Sequence, residues 1–188
     1  MDIALVMAMV VTMVVVMVFL MIILIVVYAN RYKKASPSQA VVVWGKQPKG
    51  VGKYQIVTNG GIFVVPFVQQ SAFLPLDAKT QEFRLRNVPC KKKKRIDLEL
   101  TVTYKISNKE KKLQKAAESL LHKSQDNIED MAKKIIDAEV RNLCWKMDSK
   151  KISDDPGKAG KKFKKNANKE LGAVGIEITT FSIKDVLE

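Results

Sequence analysis

The hydrophobic pattern changes character twice along the chain. From Ile3 to Tyr28 it has no period at all. Val, Met, Ile, Leu, Ala and Phe follow one another, and Thr12 is the one conspicuous polar residue. From about residue 39 to residue 106, apolar residues come in short runs or at every second position, and from about residue 110 they recur at spacings of three and four. These patterns predict, in turn, a helix apolar on all sides, a set of strands, and amphipathic helices.

The first run is long enough to cross a bilayer with some tilt, since about 20 apolar residues span the hydrocarbon core. Val14, Phe19 and Ile25 lie within it and Tyr28 closes it. A buried helix of a domain this small needs a polar face, and this one has none. A cleaved secretory signal is the competing reading, with Val27-Tyr28-Ala29 as a cleavage-like site. Against it stand the missing positive n-region and an apolar run well beyond the usual ~7–15 residues. The expectation is an uncleaved anchor over residues 1–30. Arg31, Lys33 and Lys34 crowd its C-terminal flank while Asp2 alone precedes it. The positive-inside rule then puts the following domain in the cytoplasm of a single-pass protein of the cell membrane.

Ala35-Ser36-Pro37-Ser38 reads as polar, so residues 31–38 are expected to form a juxtamembrane hinge. Gln39 to Trp44 predicts a strand stopped by Gly45, and residues 45–53 a loop. Tyr54–Thr58 and Ile62–Val65 flank Asn59-Gly60, which predicts a hairpin. Pro66 and Pro75 bracket a further extended piece, and Thr80 to Arg86 alternates weakly. The clearest strand sets Ile96, Leu98, Leu100, Val102, Tyr104 and Ile106 on one face, with Asp97, Glu99, Thr101, Thr103 and Lys105 on the other. That alternation predicts a half-buried antiparallel strand.

Leu113, Ala116, Ala117, Leu120 and Leu121 form the stripe of a first amphipathic helix. Ser124 is placed to cap a second, with a stripe from Ile128 through Ile136 and Val140 to Met147. Asp154 or Asp155 caps a third, Pro156 sits in its first turn, and Gly172 or Gly175 ends it. Ala159, Phe163, Ala167 and Leu171 share one face of that helix, and Lys158, Lys162, Lys165 and Lys169 another. Ile176 to Ile183 predicts a closing strand. The domain over 39–188 is therefore α+β, β-rich over 39–106 and helical with a closing strand over 107–188.

Charge adds a constraint on partners. The 158 residues after the anchor carry all 33 Lys and Arg against 18 of the 19 acids, a net of +15. A field of that sign favours anionic lipid or nucleic acid. The densest cluster is Lys91-Lys92-Lys93-Lys94-Arg95. It lacks the interleaved aromatics of a nucleic-acid surface, so the readings are a solvated loop or an anionic-lipid contact. Ile62 to Val68 is the most apolar stretch of the domain: either a buried strand ending at Pro66, or an aromatic tip of Phe63 and Phe67 that enters the bilayer interface beside the anchor. Tyr28, Tyr32 and Trp44 add candidates for the same interface, with Trp44 equally suited to the core.

Enzymatic chemistry finds no constellation. His122 is the sole histidine and reads as a surface or helix-end residue. There is no nucleophile elbow, HExxH, P-loop or GxGxxG. Cys90 and Cys144 are too few and too far apart in sequence for a metal cluster. Cys90 beside the lysines is read as a plain thiol, with lipidation as the alternative. No cofactor, metal or catalytic residue is expected.

Six segments, in order, resemble the SPFH (band 7) domain of flotillin-like and stomatin-like proteins. They are Ser36-Pro37-Ser38-Gln39-Ala40 through Gly45; Val57-Thr58-Asn59-Gly60-Gly61-Ile62-Phe63-Val64-Val65-Pro66; the alternating strand Ile96 to Ile106; Ala116 through Leu121; Val140-Arg141-Asn142-Leu143; and Leu171-Gly172-Ala173-Val174-Gly175-Ile176-Glu177-Ile178 running on to Val186. The last is the most specific. The resemblance implies a non-enzymatic scaffold whose copies assemble side by side on the bilayer, organising lipids and client membrane proteins, with no nucleic acid involved. Two features depart from the pattern: the basic run at 91–95, and an end at Glu188 where a long coiled coil is expected to begin. A monomeric basic adaptor tethered to the membrane is the alternative.

Overall fold

The computed structural model describes residues 3–46, 53–91 and 94–187. Asp2, most of the expected loop at 45–53, Lys92, Lys93 and Glu188 lie outside them. Helix α1 runs from Ile3 to Arg31 with no charged residue before its last. The Thr12 hydroxyl donates back to the carbonyls of Ala8 and Met9, at 3.0 and 2.9 Å, so its polar side chain needs no partner outside the helix.

No hinge follows. Strand β1 (Tyr32–Lys34) begins at the residue after α1, and Ala35 is buried. The turn at Ser36–Ser38, bridged to Gln39, leads into β2 (Gln39–Gly45). β3 (Tyr54–Val57) and β5 (Gln69–Pro75) pair antiparallel on either side of β2. Being central, β2 is buried on both faces. Ala40 and Val42 enter the main core, while Val41 and Val43 join Ala35 and Val64 in a small second cluster.

The expected hairpin across Asn59-Gly60 does not form. β4 (Gly61–Phe63) leaves β3 and pairs instead with β1, Tyr32 opposite Phe63 and Lys34 opposite Gly61. A two-residue type I′ turn needs positive φ at both central residues, and here only Gly60, at φ 83°, adopts it. The Ala35 amide meanwhile donates to the Gly60 carbonyl at 2.8 Å, which draws the turn toward β1.

The second half is a three-stranded antiparallel sheet ordered β6–β7–β8, from Lys79–Pro89, Arg95–Ile106 and Ile176–Leu187. β7 alternates without a fault, all six of its predicted inward residues being buried. Helices α2 (Glu110–Leu120), α3 (Gln125–Lys146) and α5 (Pro156–Leu171) carry the expected stripes. Ser124 accepts from the Asn127 amide and Asp155 from the Lys158 amide, which caps α3 and α5. The short α4 (Ser149–Asp154) is an addition. At six residues it is too brief for a helical period to show in sequence, and Ile152 plugs it into the core beside a buried Ser149. α5 packs on β8 and α3, and α3 on β6. Cys90 and Cys144 are buried in the same core, unbridged.

One hub ties the second half together. The buried Ser107 hydroxyl, just past β7, donates to the Glu177 carboxylate at 2.7 Å. Lys112 of α2 pairs with the same oxygen at 3.5 Å, and the Ser107 amide donates to the Gly175 carbonyl. Gly175 sits at φ 85°, and a Cβ there would lie 2.4 Å from the Lys112 carbonyl oxygen. Gly175→Ala is therefore expected to cost about 2 kcal/mol or more, seen as a fall of about 4–8 °C in thermal midpoint. Burial pushes the Glu177 carboxyl up, but Ser107, Lys112 and Lys105 together outweigh it and hold it below its ordinary value. Its contribution is then present above the ordinary carboxylate range and is lost as pH falls through the lowered value. Glu177→Gln should be less stable than the parent at neutral pH, with the gap closing in acid. A gap that persists unchanged at pH 2–3 contradicts this assignment.

Candidate membrane interface

The α1–β1 junction builds one edge of the molecule. The Val64 amide donates to the carbonyl of Arg31 at 3.0 Å, so the last residue of α1 is hydrogen-bonded to the segment that follows β4. Phe63 stacks on Tyr28, ring centroids 4.9 Å apart and planes inclined by 26°. Only β4 ends at Phe63, so the apolar stretch 62–68 is not the buried strand that was one expectation for it. Val64 is buried, whereas Val65, Phe67 and Val68 are exposed.

Phe67 is fully exposed and holds φ at 67°, a conformation that costs a bulky L-residue roughly 1–2 kcal/mol. Gln69 braces this turn from both sides. Its side-chain carbonyl accepts from the Val65 amide, and its side-chain amide donates to the Lys46 carbonyl, each at 3.0 Å. A strained, solvent-facing aromatic held by its neighbours is the pattern of a functional tip rather than of a folding requirement. At the α1–β1 junction Arg31, Tyr32 and Lys34 are exposed, with Lys33 half-buried. Trp44 is half-buried against the main core and meets His122 edge-on at 5.7 Å.

Lys91, Lys94 and Arg95, the described residues of the basic run, are not among those that build this edge. The Lys91 amide donates to the Met147 carbonyl, which places Lys91 at the C-terminal end of α3. The N-terminal end of α3, at Gln125 and Ile128, lies by Pro75 and Lys79, where the first half meets the second. A helix of 22 residues is about 33 Å long, several times the distance over which exposed charges act. Lys91, Lys94 and Arg95 are exposed, and Arg95 turns back to the Asn87 side chain at 3.0 Å. Lys158, Lys162, Lys165 and Lys169 form an exposed face of α5.

Groups with strongly displaced titration lie in the core. Burial, with Glu129 adding to it, pushes the Tyr104 hydroxyl up to about 12. Burial, with Cys90 alongside, does the same to the Cys144 thiol. Both displacements run away from the neutral range in which proton transfer or thiolate attack is effective. Cys90 is itself buried, which withholds it from acylation. Among the described residues no group of three or more His, Cys, Asp and Glu is placed to hold a metal ion.

The comparisons with known proteins agree with this architecture. The family described as "SPFH domain / Band 7 family" matches residues 33–187, from β1 to the end of β8. Flotillin-like protein FloT of Bacillus subtilis (strain 168) is 29% identical over 168 residues, 85% of this chain. That stretch is 33% of the relative's length, so the chain spans about a third of it. With nearly everything after α1 matched, the chain belongs to the SPFH domain / Band 7 family.

Proposed function

We propose that this protein is a membrane-anchored scaffold whose copies associate side by side on the bilayer and organise membrane microdomains and partner membrane proteins. The observation that carries this reading is the rigid junction of α1 with β1 and β4. A 29-residue apolar helix is about 44 Å long, enough to cross the hydrocarbon core and reach the interface. Because β1 starts at once and pairs with β4, the domain is held against the leaflet that the helix leaves, with Tyr28, Tyr32, Phe63 and Phe67 at interfacial depth. The cations that follow α1, set against Asp2 before it, favour a cytoplasmic domain.

Confinement to two dimensions raises the effective concentration of copies, so weak lateral contacts suffice. The flanks offer such contacts. Trp145 of α3 is exposed, and the lysine face of α5 has no ion pair among the described residues. The basic run at 91–95 attracts anionic headgroups in an orientation where α3 lies along the bilayer.

Size in mild detergent tests the reading. The full chain is expected to run as a large assembly and to form clusters in membranes. A chain that is monomeric in detergent and evenly dispersed in membranes fits the tethered adaptor and overturns the scaffold.

A further inference from the structure

A second feature of the anchor edge has the chemistry of a ligand site. Between the end of α1, the end of β2 and the start of β5 lies an open cleft of about 330 Å³, lined by Arg31, Lys33, Trp44, Val64, Gln69, Gln70 and Ser71. Its two charges are both positive, and no carboxylate lines it. Neither Arg31 nor Lys33 takes part in an ion pair among the described residues. The wider charge pattern removes any local competitor for them. There is no Asp or Glu between Asp2 and Asp77, while Arg31, Lys33, Lys34, Lys46, Lys49 and Lys53 all fall in that stretch. The half of the domain that carries the anchor is purely cationic. All the acids that partner cations elsewhere belong to the second half.

We propose that this cleft binds the phosphate of a phospholipid headgroup from the leaflet that α1 enters. A guanidinium presents paired N–H donors that match two phosphate oxygens, and an ammonium beside it supplies a second cation. Ser71, opposite Val43, and Gln70, opposite Trp44, also line the cleft and add neutral donors from the two faces of β5. Depth argues for a lipid rather than a soluble phosphate. Arg31 is the last residue of α1, only three residues, about 4.5 Å of helix rise, beyond Tyr28 in the interface. Gln69 and Gln70 follow directly on the exposed Phe67 turn. Both walls of the cleft therefore start at headgroup level. The backbone beneath both cations is fixed in place, because the Arg31 carbonyl is held by Val64 and Lys33 lies in β1 opposite Ile62. The site rests on the reading of α1 as a membrane-spanning helix.

The test uses the full chain in phospholipid nanodiscs, transferred to mild detergent, with retained lipid counted by native mass spectrometry at 0.5 M salt. The parent is expected to keep phospholipid bound, and Arg31→Gln with Lys33→Gln to lose about tenfold in retention. Gln70→Ala with Ser71→Ala, which leaves the anchor's flanking charge untouched, is expected to lose about threefold. Lys34→Gln and the combined Lys91→Gln, Lys92→Gln, Lys93→Gln, Lys94→Gln change retention less than twofold, since high salt screens diffuse attraction. Equal retention by the cleft variants and the parent overturns the site. Displacement of the lipid by millimolar inorganic phosphate overturns the lipid assignment in favour of a general anion site. Carbonate extraction run on each variant separates the two failures: a chain that is not membrane-integral overturns the anchor reading, whereas an integral chain that retains no lipid overturns the cleft alone.

Discussion

The structure depends on how a long apolar helix ends. Water cannot accommodate some 28 consecutive residues without a charge, and a bilayer satisfies them only if the chain leaves it at a defined depth. Here the exit is rigid. The Arg31 carbonyl is already committed to Val64, Tyr28 is already stacked on Phe63, and Tyr32 is already opposite Phe63 in a ladder. The depth of the helix therefore sets the depth of the turn at 66–68, and through Gln69 that of the start of β5. On the insertion proposed above, a strained and fully exposed Phe67 has a physical reason to exist, since an aromatic ring in the interface offsets what it loses in backbone energy.

From that edge the fold divides its labour. The first half, β1 to β5, carries cations and no acids, and it is stitched by a doubly buried β2. The second half carries the large core, the mixed charges and the Ser107–Glu177–Lys112 hub that ties β7, α2 and β8 together. Charge of one sign sits in the half that follows α1. Elsewhere carboxylates are interspersed, which keeps self-repulsion in a strongly basic chain from opening the fold.

Much of this was legible in the chain itself, for reasons that differ by element. β7 declared itself because strict alternation is incompatible with anything but a half-buried strand. The caps at Ser124 and Asp155 declared themselves because a side-chain oxygen is needed there for an orphan amide. The uniformly apolar helix α1 declared itself by the absence of any period. What failed to show were pairings between distant residues. Asn59-Gly60 has hairpin chemistry, yet whether β4 pairs with β3 or β1 is decided by the Ala35–Gly60 hydrogen bond, which no local pattern encodes. The hinge at 31–38 looked polar because β1 is three residues long with mostly exposed side chains. The apolar character of 62–68 was visible, but not which of its two readings holds, and the cleft was not visible at all. Gln69, Gln70 and Ser71 are unremarkable until β5 is laid beside the end of α1.

The claim on which the rest stands is that the anchor and the Phe67 turn enter the same leaflet. Its most direct measurement is the depth of a nitroxide at Phe67→Cys in the full chain reconstituted in liposomes, read from accessibility to oxygen against a nickel chelate. Cys90 and Cys144 are buried and leave the new thiol as the reactive one. Labels at Val14→Cys and Thr179→Cys calibrate the bilayer centre and the aqueous side. The account predicts a label at 67 lying about 5–10 Å into the headgroup and acyl boundary, shallower than the label at 14. A label at 67 as open to the chelate as the one at 179 contradicts it.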